Sequence, residues 1–192
     1  MAINGPIMLD SCMTRSVPGT EVLFSERQIA GKIDQLGKRV ASDYESILMI
    51  GVLTGAYAVT TNLAFALFKH GMSPTAVEVD FMAVTSYAGK QTSSGEPKIT
   101  KDTKNPIRGK QVLLVEDIVD TGYSIAELIN MLNARGPASL AVLSLLSKPS
   151  RREVEVPIKY LGFEIPDVYV YGYGVDDGYE NYRILPYIGY KV

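Results

Sequence analysis

The sequence predicts an α/β protein with a mostly parallel, twisted sheet flanked by helices. Strand-like and helix-like segments alternate from residue 25 to about residue 147, the pattern of parallel strands joined by crossover helices. Three short apolar runs, at residues 47–53, 112–115 and 140–146, lack the polar alternation of a strand with one face in water. We therefore expect these three runs to be buried strands of one sheet.

The composition is that of a soluble globular protein. The chain has 192 residues, of which 46% are apolar and 21% charged, and its net charge is −2. We expect one domain, no nucleic-acid partner and no membrane segment, because there is no basic surplus and no apolar run of spanning length. Cys12 is the only cysteine, so an intramolecular disulfide is impossible. Without a secretory signal, we expect a cytoplasmic protein.

The first elements are predicted by local patterns. Residues 22–24 indicate a short strand, and Ser25 with Gln28 forms a capping box for an amphipathic helix that continues to about Asp43. The strand at 47–53 is followed by small residues and then by a helical pattern at 57–69. This unit brings a helix N-terminus to the edge of the sheet.

The stretch after residues 112–115 predicts a ribose-phosphate site. The carboxylates Glu116 and Asp117 follow the apolar run, and a turn beginning at Asp120 leads into a helix near Ser124. Backbone N–H groups of the turn and the helix dipole can hold a phosphate. The two carboxylates are suited to sugar hydroxyls or to Mg²⁺. The alternative is a solvated acidic loop, which is less consistent with its place at the end of a buried strand.

The remaining segments predict a lid and a second set of ligand contacts. Residues 75–84 indicate a strand, and the polar stretch at about 85–109 is long enough to be a functional loop or a surface hairpin. After the strand at 140–146 comes a basic turn at 147–152, and an aromatic-rich segment ends the chain.

Residues 112–124 resemble the phosphoribosyl-pyrophosphate motif of the type I phosphoribosyltransferases, in the form found in the hypoxanthine-guanine branch. The resemblance extends from Val22 to Gly189. It implies a single domain, residues 1–192, with a core at about 22–150 and a lid at about 85–109. A small hood would be formed by the N-terminal arm, about 1–21, and the C-terminal segment, about 151–192.

The resemblance also implies the roles of individual residues. Asp120 would be the general acid/base. The ribose and phosphate would be bound by Glu116, Asp117, Ile118, Val119, Thr121, Gly122, Tyr123 and Ser124. The pyrophosphate would be bound by Leu53, Thr54, Gly55 and Arg152. The lid would carry Ser86 and Tyr87. The purine would be bound by Lys148, Tyr169 and Val170.

Two departures from the family pattern affect these assignments. Thr54 stands where the family carries a lysine, so one positive charge is missing from the pyrophosphate loop. The second Mg²⁺ would be bound by an aspartate whose position depends on the counting. Counting forward from Tyr169 gives Asp176, whereas counting back from Arg183 gives Asp177. We assign the role to Asp176.

By resemblance, the expected reaction is Mg²⁺-dependent transfer of a phosphoribosyl group from phosphoribosyl pyrophosphate to hypoxanthine and guanine. A preference for xanthine is one alternative, and an RNA-binding regulator on the same fold is another. Regulators of that kind lack an aspartate at the position of Asp120. Family members are commonly homodimers or homotetramers.

Overall fold

The computed structural model describes residues 20–85, 98–179 and 181–191. Its nine strands are β1 (Thr20–Phe24), β2 (Ile47–Leu53), β3 (Val77–Thr85), β4 (Lys98–Lys101), β5 (Gln111–Val119), β6 (Ser139–Ser147), β7 (Ile158–Glu164), β8 (Val170–Tyr171) and β9 (Ile188–Lys191). Its helices are α1 (Glu26–Asp43), α2 (Tyr57–Lys69) and α3 (Tyr123–Asn133), with a 3₁₀ turn at Pro149–Arg151. No helix of these described segments is long and apolar enough to span a bilayer.

The main sheet has six strands in the order β4-β3-β2-β5-β6-β7. All neighbouring pairs are parallel except β3 and β4, which are antiparallel. The predicted fold class, a mostly parallel sheet flanked by helices, is confirmed. From β2 the chain first moves outward to β3 and later returns to place β5 on the other side of β2. The carboxyl ends of β2 and β5 therefore form the switch point of the sheet, where open α/β folds bind ligands.

The core divides into two layers because side chains alternate along the buried strands. Odd-numbered residues such as Met49 and Leu113 face α1 and α2, and even-numbered residues such as Ile50 and Leu114 face α3. The two crossover helices that follow β2 and β5 thus lie on opposite faces. Both helix N-termini remain at the switch point.

The second sheet is small, antiparallel and ordered β1-β9-β8. It joins the first described strand to the C-terminal segment. The assigned boundaries need two corrections. β1 begins at Thr20 and belongs to this small sheet rather than to the core, and β7 belongs to the main sheet although it lies beyond residue 150. Sequence patterns did not reveal β7 because polar residues interrupt its apolar ones, so it has no continuous apolar run.

Two further expectations differ from the structure. The strand predicted at 112–115 continues to Val119, so the acidic pair lies within β5 and not after its end. Pairing with β6, which includes Glu116 with Ser144 and Val119 with Ser147, extends the strand. Part of the predicted lid, Lys98–Lys101, forms the edge strand β4 against β3. The proposed lid residues Ser86 and Tyr87, the N-terminal arm at 1–19 and Cys12 lie outside the described residues.

The capping box at the start of α1 is present as predicted. The Ser25 hydroxyl accepts from the Gln28 N–H at 3.4 Å, and the Gln28 side chain accepts from the Ser25 N–H at 2.9 Å. These contacts satisfy donors that a helix N-terminus otherwise leaves unpaired.

Replacing Ser25 with alanine removes one of the two contacts, and we expect Ser25→Ala to lower the free energy of unfolding by about 1 kcal/mol. Urea unfolding measures the change. Ser42→Ala, the same substitution near the other end of α1, is the control and should change stability by less than about 0.5 kcal/mol. Equal effects of the two substitutions would contradict a specific role of the cap.

Candidate functional site

The switch point is built by close backbone packing. The peptide bond between Leu53 and Thr54 is cis. A Cβ atom on Gly55 would lie 1.8 Å from the Asp117 carboxylate oxygen Oδ2. A Cβ atom on Gly174 would lie 2.0 Å from the Gly55 carbonyl oxygen. Glycine is therefore required at both positions, and the ends of β2 and β5 are in contact with the C-terminal segment.

The turn after β5 presents the amino end of α3. Gly122 has φ of +98° and precedes the helix, and without a side chain it leaves the first N–H groups of α3 uncapped. The Thr121 carbonyl accepts hydrogen bonds from the N–H groups of Glu153 and Val154, at 2.9 and 3.1 Å. A Cβ atom on Gly122 would lie 2.3 Å from the Val154 carbonyl oxygen. The turn is thus held in place through the Thr121 carbonyl, while the first N–H groups of α3 remain available to an anion.

Arg152 lies at the base of this turn. Its guanidinium donates to the Ser147 hydroxyl at 2.7 Å and to the Val119 carbonyl at 3.3 Å. Its Nη1 atom is buried and has no hydrogen-bond partner among the described residues. These contacts connect the end of β6 to the end of β5. The assignment of Arg152 to pyrophosphate stays a prediction.

The acidic pair is buried at the end of β5. Asp117 is 8% exposed and its carboxylate accepts from the Ile118 N–H at 2.8 Å. The Glu116 atom Oε2 is buried without a hydrogen-bond partner in the described part of the chain. Burial, together with the neighbouring Asp117 carboxylate, raises the pKa of Glu116 well above its usual value. Burial also raises the pKa of Asp117, although its hydrogen bonds and the charge of Arg183 oppose the shift.

A first cavity, of about 250 Å³, lies in front of the acidic pair and the turn. It is lined by Val52, Leu53, Val84, Glu116, Asp117, Ile118, Val119, Asp120, Thr121, Gly122, Ser124, Ile125 and Leu128. Most of the predicted ribose-phosphate residues are therefore brought together. Tyr123 is exposed at the first position of α3.

A second cavity, of about 510 Å³, lies between the basic turn and the C-terminal segment. It is lined by Ile118, Asp120, Lys148, Arg151, Asp167, Tyr169, Val170, Val175 and Asp176. All three predicted purine-binding residues are among them. Tyr169 is half-exposed, and Val170 is buried in β8, where it pairs with Tyr190. Ile118 and Asp120 line both cavities, so the two cavities meet at Asp120.

Asp120 belongs to a cluster of four charged side chains of alternating sign. The Arg151 atom Nε donates to the Asp120 atom Oδ1 at 2.6 Å, and the Lys148 ammonium lies 3.6 Å from the other oxygen, Oδ2. Asp167 lies 3.9 Å from Lys148 and 3.6 Å from Arg151. The two carboxylates, Asp120 foremost, raise the pKa of Arg151. Arg151 and Asp167 were not assigned to the site from the sequence, although Arg151 lies in the basic turn at 147–152, because the family motif gives roles only to neighbouring residues.

The two aspartates near the C-terminus have different surroundings. Asp176 lines the second cavity and forms an ion pair with Arg183, whose Nη1 atom also donates to the Gly174 carbonyl at 2.7 Å. Asp177 is buried and its carboxylate accepts from the N–H groups of Tyr179 and Asn181, at 3.0 and 3.2 Å. These hydrogen bonds outweigh the effect of burial and lower the pKa of Asp177. In the sequence, Arg183 served only as a reference point for counting, and its ion pair with Asp176 was not predicted.

The comparisons with known proteins agree with this fold. The phosphoribosyl transferase domain family matches residues 20–178, so the chain belongs to the phosphoribosyltransferases. The chain is 40% identical over 172 residues to the hypoxanthine-guanine phosphoribosyltransferase of Dictyostelium discoideum, covering 88% of this chain and 93% of that protein. It is 40% identical over 173 residues to the hypoxanthine phosphoribosyltransferase of Escherichia coli K12, with the same coverage of both chains.

Solved structures show the same similarity. The hypoxanthine phosphoribosyltransferase of Trypanosoma cruzi in complex with the product IMP has a TM-score of 0.84 and 35% sequence identity to this chain. The alignment covers 93% of this chain and 97% of that one. The family resemblance stated from residues 112–124 is therefore confirmed.

The raised pKa of Glu116 predicts how stability depends on pH. The folded protein binds this proton more tightly than the unfolded chain, so ionisation of Glu116 destabilises the fold as the pH rises above the unfolded value of about 4.3. Glu116→Gln cannot ionise. We expect the free energy of unfolding of Glu116→Gln to exceed that of the wild type by about 1 kcal/mol at pH 8. The difference between the two should shrink toward pH 4.

Urea unfolding at both pH values, in metal-free buffer with EDTA, measures this difference. Glu45→Gln is the control, because Glu45 is exposed and its substitution should leave the pH dependence unchanged. A Glu116→Gln difference that does not widen between pH 4 and pH 8 would show that the buried carboxylate is not the cause.

Proposed function

We propose that this protein is a purine-salvage enzyme that transfers the 5-phosphoribosyl group of phosphoribosyl pyrophosphate to hypoxanthine and guanine. The products are IMP or GMP and pyrophosphate. The observation that carries the proposal is the meeting of two cavities at Asp120. One has the donors and carboxylates of a ribose-phosphate site, and the other has the cation and aromatic ring of a purine site. The reacting bond lies between them.

The sugar phosphate is bound by the first cavity. N–H groups of the turn and of the first turn of α3 donate to the phosphate, together with the Thr121 and Ser124 hydroxyls. Ile118 and Val119 form the backbone that leads into this turn. Glu116 and Asp117 accept hydrogen bonds from the ribose hydroxyls. The buried Glu116 oxygen without a partner supports this role, because a bound hydroxyl would satisfy it.

The leaving pyrophosphate is bound at the end of β2. Backbone groups of Leu53, Thr54 and Gly55 face the same switch point as the turn, and Arg183 supplies a positive charge beside Asp176. A guanidinium suits the role because its donors are arranged to hold phosphate oxygens.

The residues present fit Mg²⁺, which prefers oxygen ligands and is usually bound by one or two carboxylates together with substrate phosphates. Asp176 lines the second cavity, whereas Asp177 is buried and lines neither of the two cavities. Asp176 would therefore hold the metal, with Glu116 and Asp117 on the sugar side. When bound, the metal neutralises charge on the pyrophosphate as it leaves.

The purine is bound in the second cavity. Tyr169 stacks on the ring and the backbone of Val170 contacts its edge. Lys148 donates to the 6-oxo group. Because an ammonium can only donate, the amino group of adenine would meet it unfavourably, which selects hypoxanthine and guanine.

The reaction requires one proton to move. The purine ring nitrogen forms a bond to the anomeric carbon while the bond from that carbon to pyrophosphate breaks, and the electron pair leaves with the pyrophosphate. The ring N–H proton passes to the Asp120 carboxylate, which lies where both cavities meet. In this arrangement other residues bind the two substrates, and Asp120 accepts the proton.

We also retain three expectations as part of the proposal. The chain acts as a single domain whose lid carries Ser86 and Tyr87, which would exclude water from the activated sugar. It assembles as a homodimer or homotetramer. It works in the cytoplasm, in keeping with a chain that has one cysteine and cannot form an internal disulfide.

The direct test supplies the protein with Mg²⁺ and phosphoribosyl pyrophosphate and offers hypoxanthine, guanine, xanthine and adenine separately. We expect nucleotide from hypoxanthine and guanine and none from adenine, measured by chromatography of the products. Turnover of xanthine above the other bases would correct the specificity. Inactivity with all four bases would overturn the proposal and make RNA binding the next experiment.

Asp120→Asn tests the acid/base residue. The amide keeps the size of the side chain but is a poor proton acceptor, so we expect kcat to fall by about 10²- to 10⁴-fold. Binding of phosphoribosyl pyrophosphate, measured by calorimetry, should change little. Asp34→Asn on the outer face of α1 is the matched control, with unchanged kcat. Near-full turnover of Asp120→Asn would show that another group accepts the proton.

A further inference from the structure

Arg151 makes a short direct hydrogen bond to the Asp120 carboxylate. The backbone around Asp120 is held on both sides, because the Val119 carbonyl accepts from the Lys148 N–H at 3.0 Å and the Thr121 carbonyl is bound by Glu153 and Val154. The Asp120 side chain itself is 40% exposed. Its torsion angles therefore depend on the groups that contact the carboxylate.

The contacts of the carboxylate differ in strength. Arg151 Nε donates to Oδ1 at 2.6 Å, whereas Lys148 Nζ lies 3.6 Å from Oδ2, beyond an ordinary hydrogen bond. Lys148 is also 3.9 Å from Asp167 and is needed for the purine oxygen in the proposed reaction. Arg151 is therefore the cation that can stay with Asp120 while a purine is bound.

The position of Arg151 is itself constrained. It ends the 3₁₀ turn that starts at Pro149, and its N–H donates to the Lys148 carbonyl at 3.1 Å. Its Nη1 atom lies 3.6 Å from Asp167, two residues before the stacking ring of Tyr169. The guanidinium is thus attached to the turn on one side and to the segment of the purine wall on the other.

We propose that Arg151 is a positioning residue that occupies Oδ1 of Asp120 and leaves Oδ2 facing the purine cavity to accept the proton. The inference rests on the proposed function and adds a residue to it. The guanidinium keeps its hydrogen bond to Oδ1 during the reaction, so the proton of the purine N–H is transferred to Oδ2. Asp167 holds the far end of the guanidinium and keeps it from turning into the cavity.

The test is a double-mutant cycle in the full-length protein. We expect Arg151→Met to lower kcat with hypoxanthine by about 10- to 100-fold, since a misdirected carboxylate is a poor acceptor. The KM for phosphoribosyl pyrophosphate should change less than about twofold. In an Asp120→Asn background, adding Arg151→Met should lower kcat by less than about twofold, because Arg151 acts through Asp120. Arg151→Lys should retain an intermediate kcat, because an ammonium donates without the fixed fork.

Arg135→Met is the matched control, because Arg135 also forms an ion pair with an aspartate, Asp102, away from the cavities. It should leave kcat unchanged. If the effects of Arg151→Met and Asp120→Asn on kcat multiplied, the two residues would act independently and the inference would be overturned. Full turnover of Arg151→Met would also overturn it. Should Arg151→Met fold poorly by thermal denaturation, Arg151→Lys takes its place in the same cycle. An inactive wild type would overturn the proposed function together with this inference. With an active wild type, a contrary result for the Arg151 variants would overturn this inference alone.

Discussion

The site depends on the contact between the Asp117 carboxylate and Gly55. The carboxylate lies where a Cβ atom of residue 55 would be, and the Gly55 carbonyl lies where a Cβ atom of Gly174 would be. The end of β5 therefore contacts the Gly55 backbone through the Asp117 side chain, and the C-terminal segment packs directly against the Gly55 carbonyl. This close packing brings the phosphate turn, the end of β2 and the purine wall to a single point, which neither sheet achieves alone.

The same packing has an electrostatic cost. Glu116 and Asp117 are adjacent and of like charge, Asp117 is buried and Glu116 partly buried, and this burial raises both pKa values. Asp120, by contrast, is half-exposed and paired with Arg151. A fold selected for stability alone would not bury the acidic pair and leave a Glu116 oxygen without a partner. Sites that break local rules in this way are expected where a ligand supplies the missing partners.

Sequence reasoning predicted the elements whose signals are local. The apolar run at residues 47–53, the capping box at Ser25 and the crossover helices follow from patterns within a few residues. The edge strand β4 and the parallel strand β7 did not, because neither contains a continuous apolar run like that of β2. The site divides in the same way. Lys148 and Tyr169 were proposed from a family motif, whereas the place of Arg151 beside Asp120 depends on a distance that no spacing encodes.

The four charges at the purine cavity explain how Asp120 can be held in place while Lys148 remains able to contact a purine. Asp120, Lys148, Arg151 and Asp167 sum to zero, so no isolated charge is buried. The contacts are nevertheless unequal. Lys148 is 3.6 and 3.9 Å from its two carboxylates, so turning toward a purine oxygen breaks no close hydrogen bond, whereas the 2.6 Å bond of Arg151 would be costly to break. A purine can therefore engage the lysine while the arginine still holds the acid/base carboxylate in place.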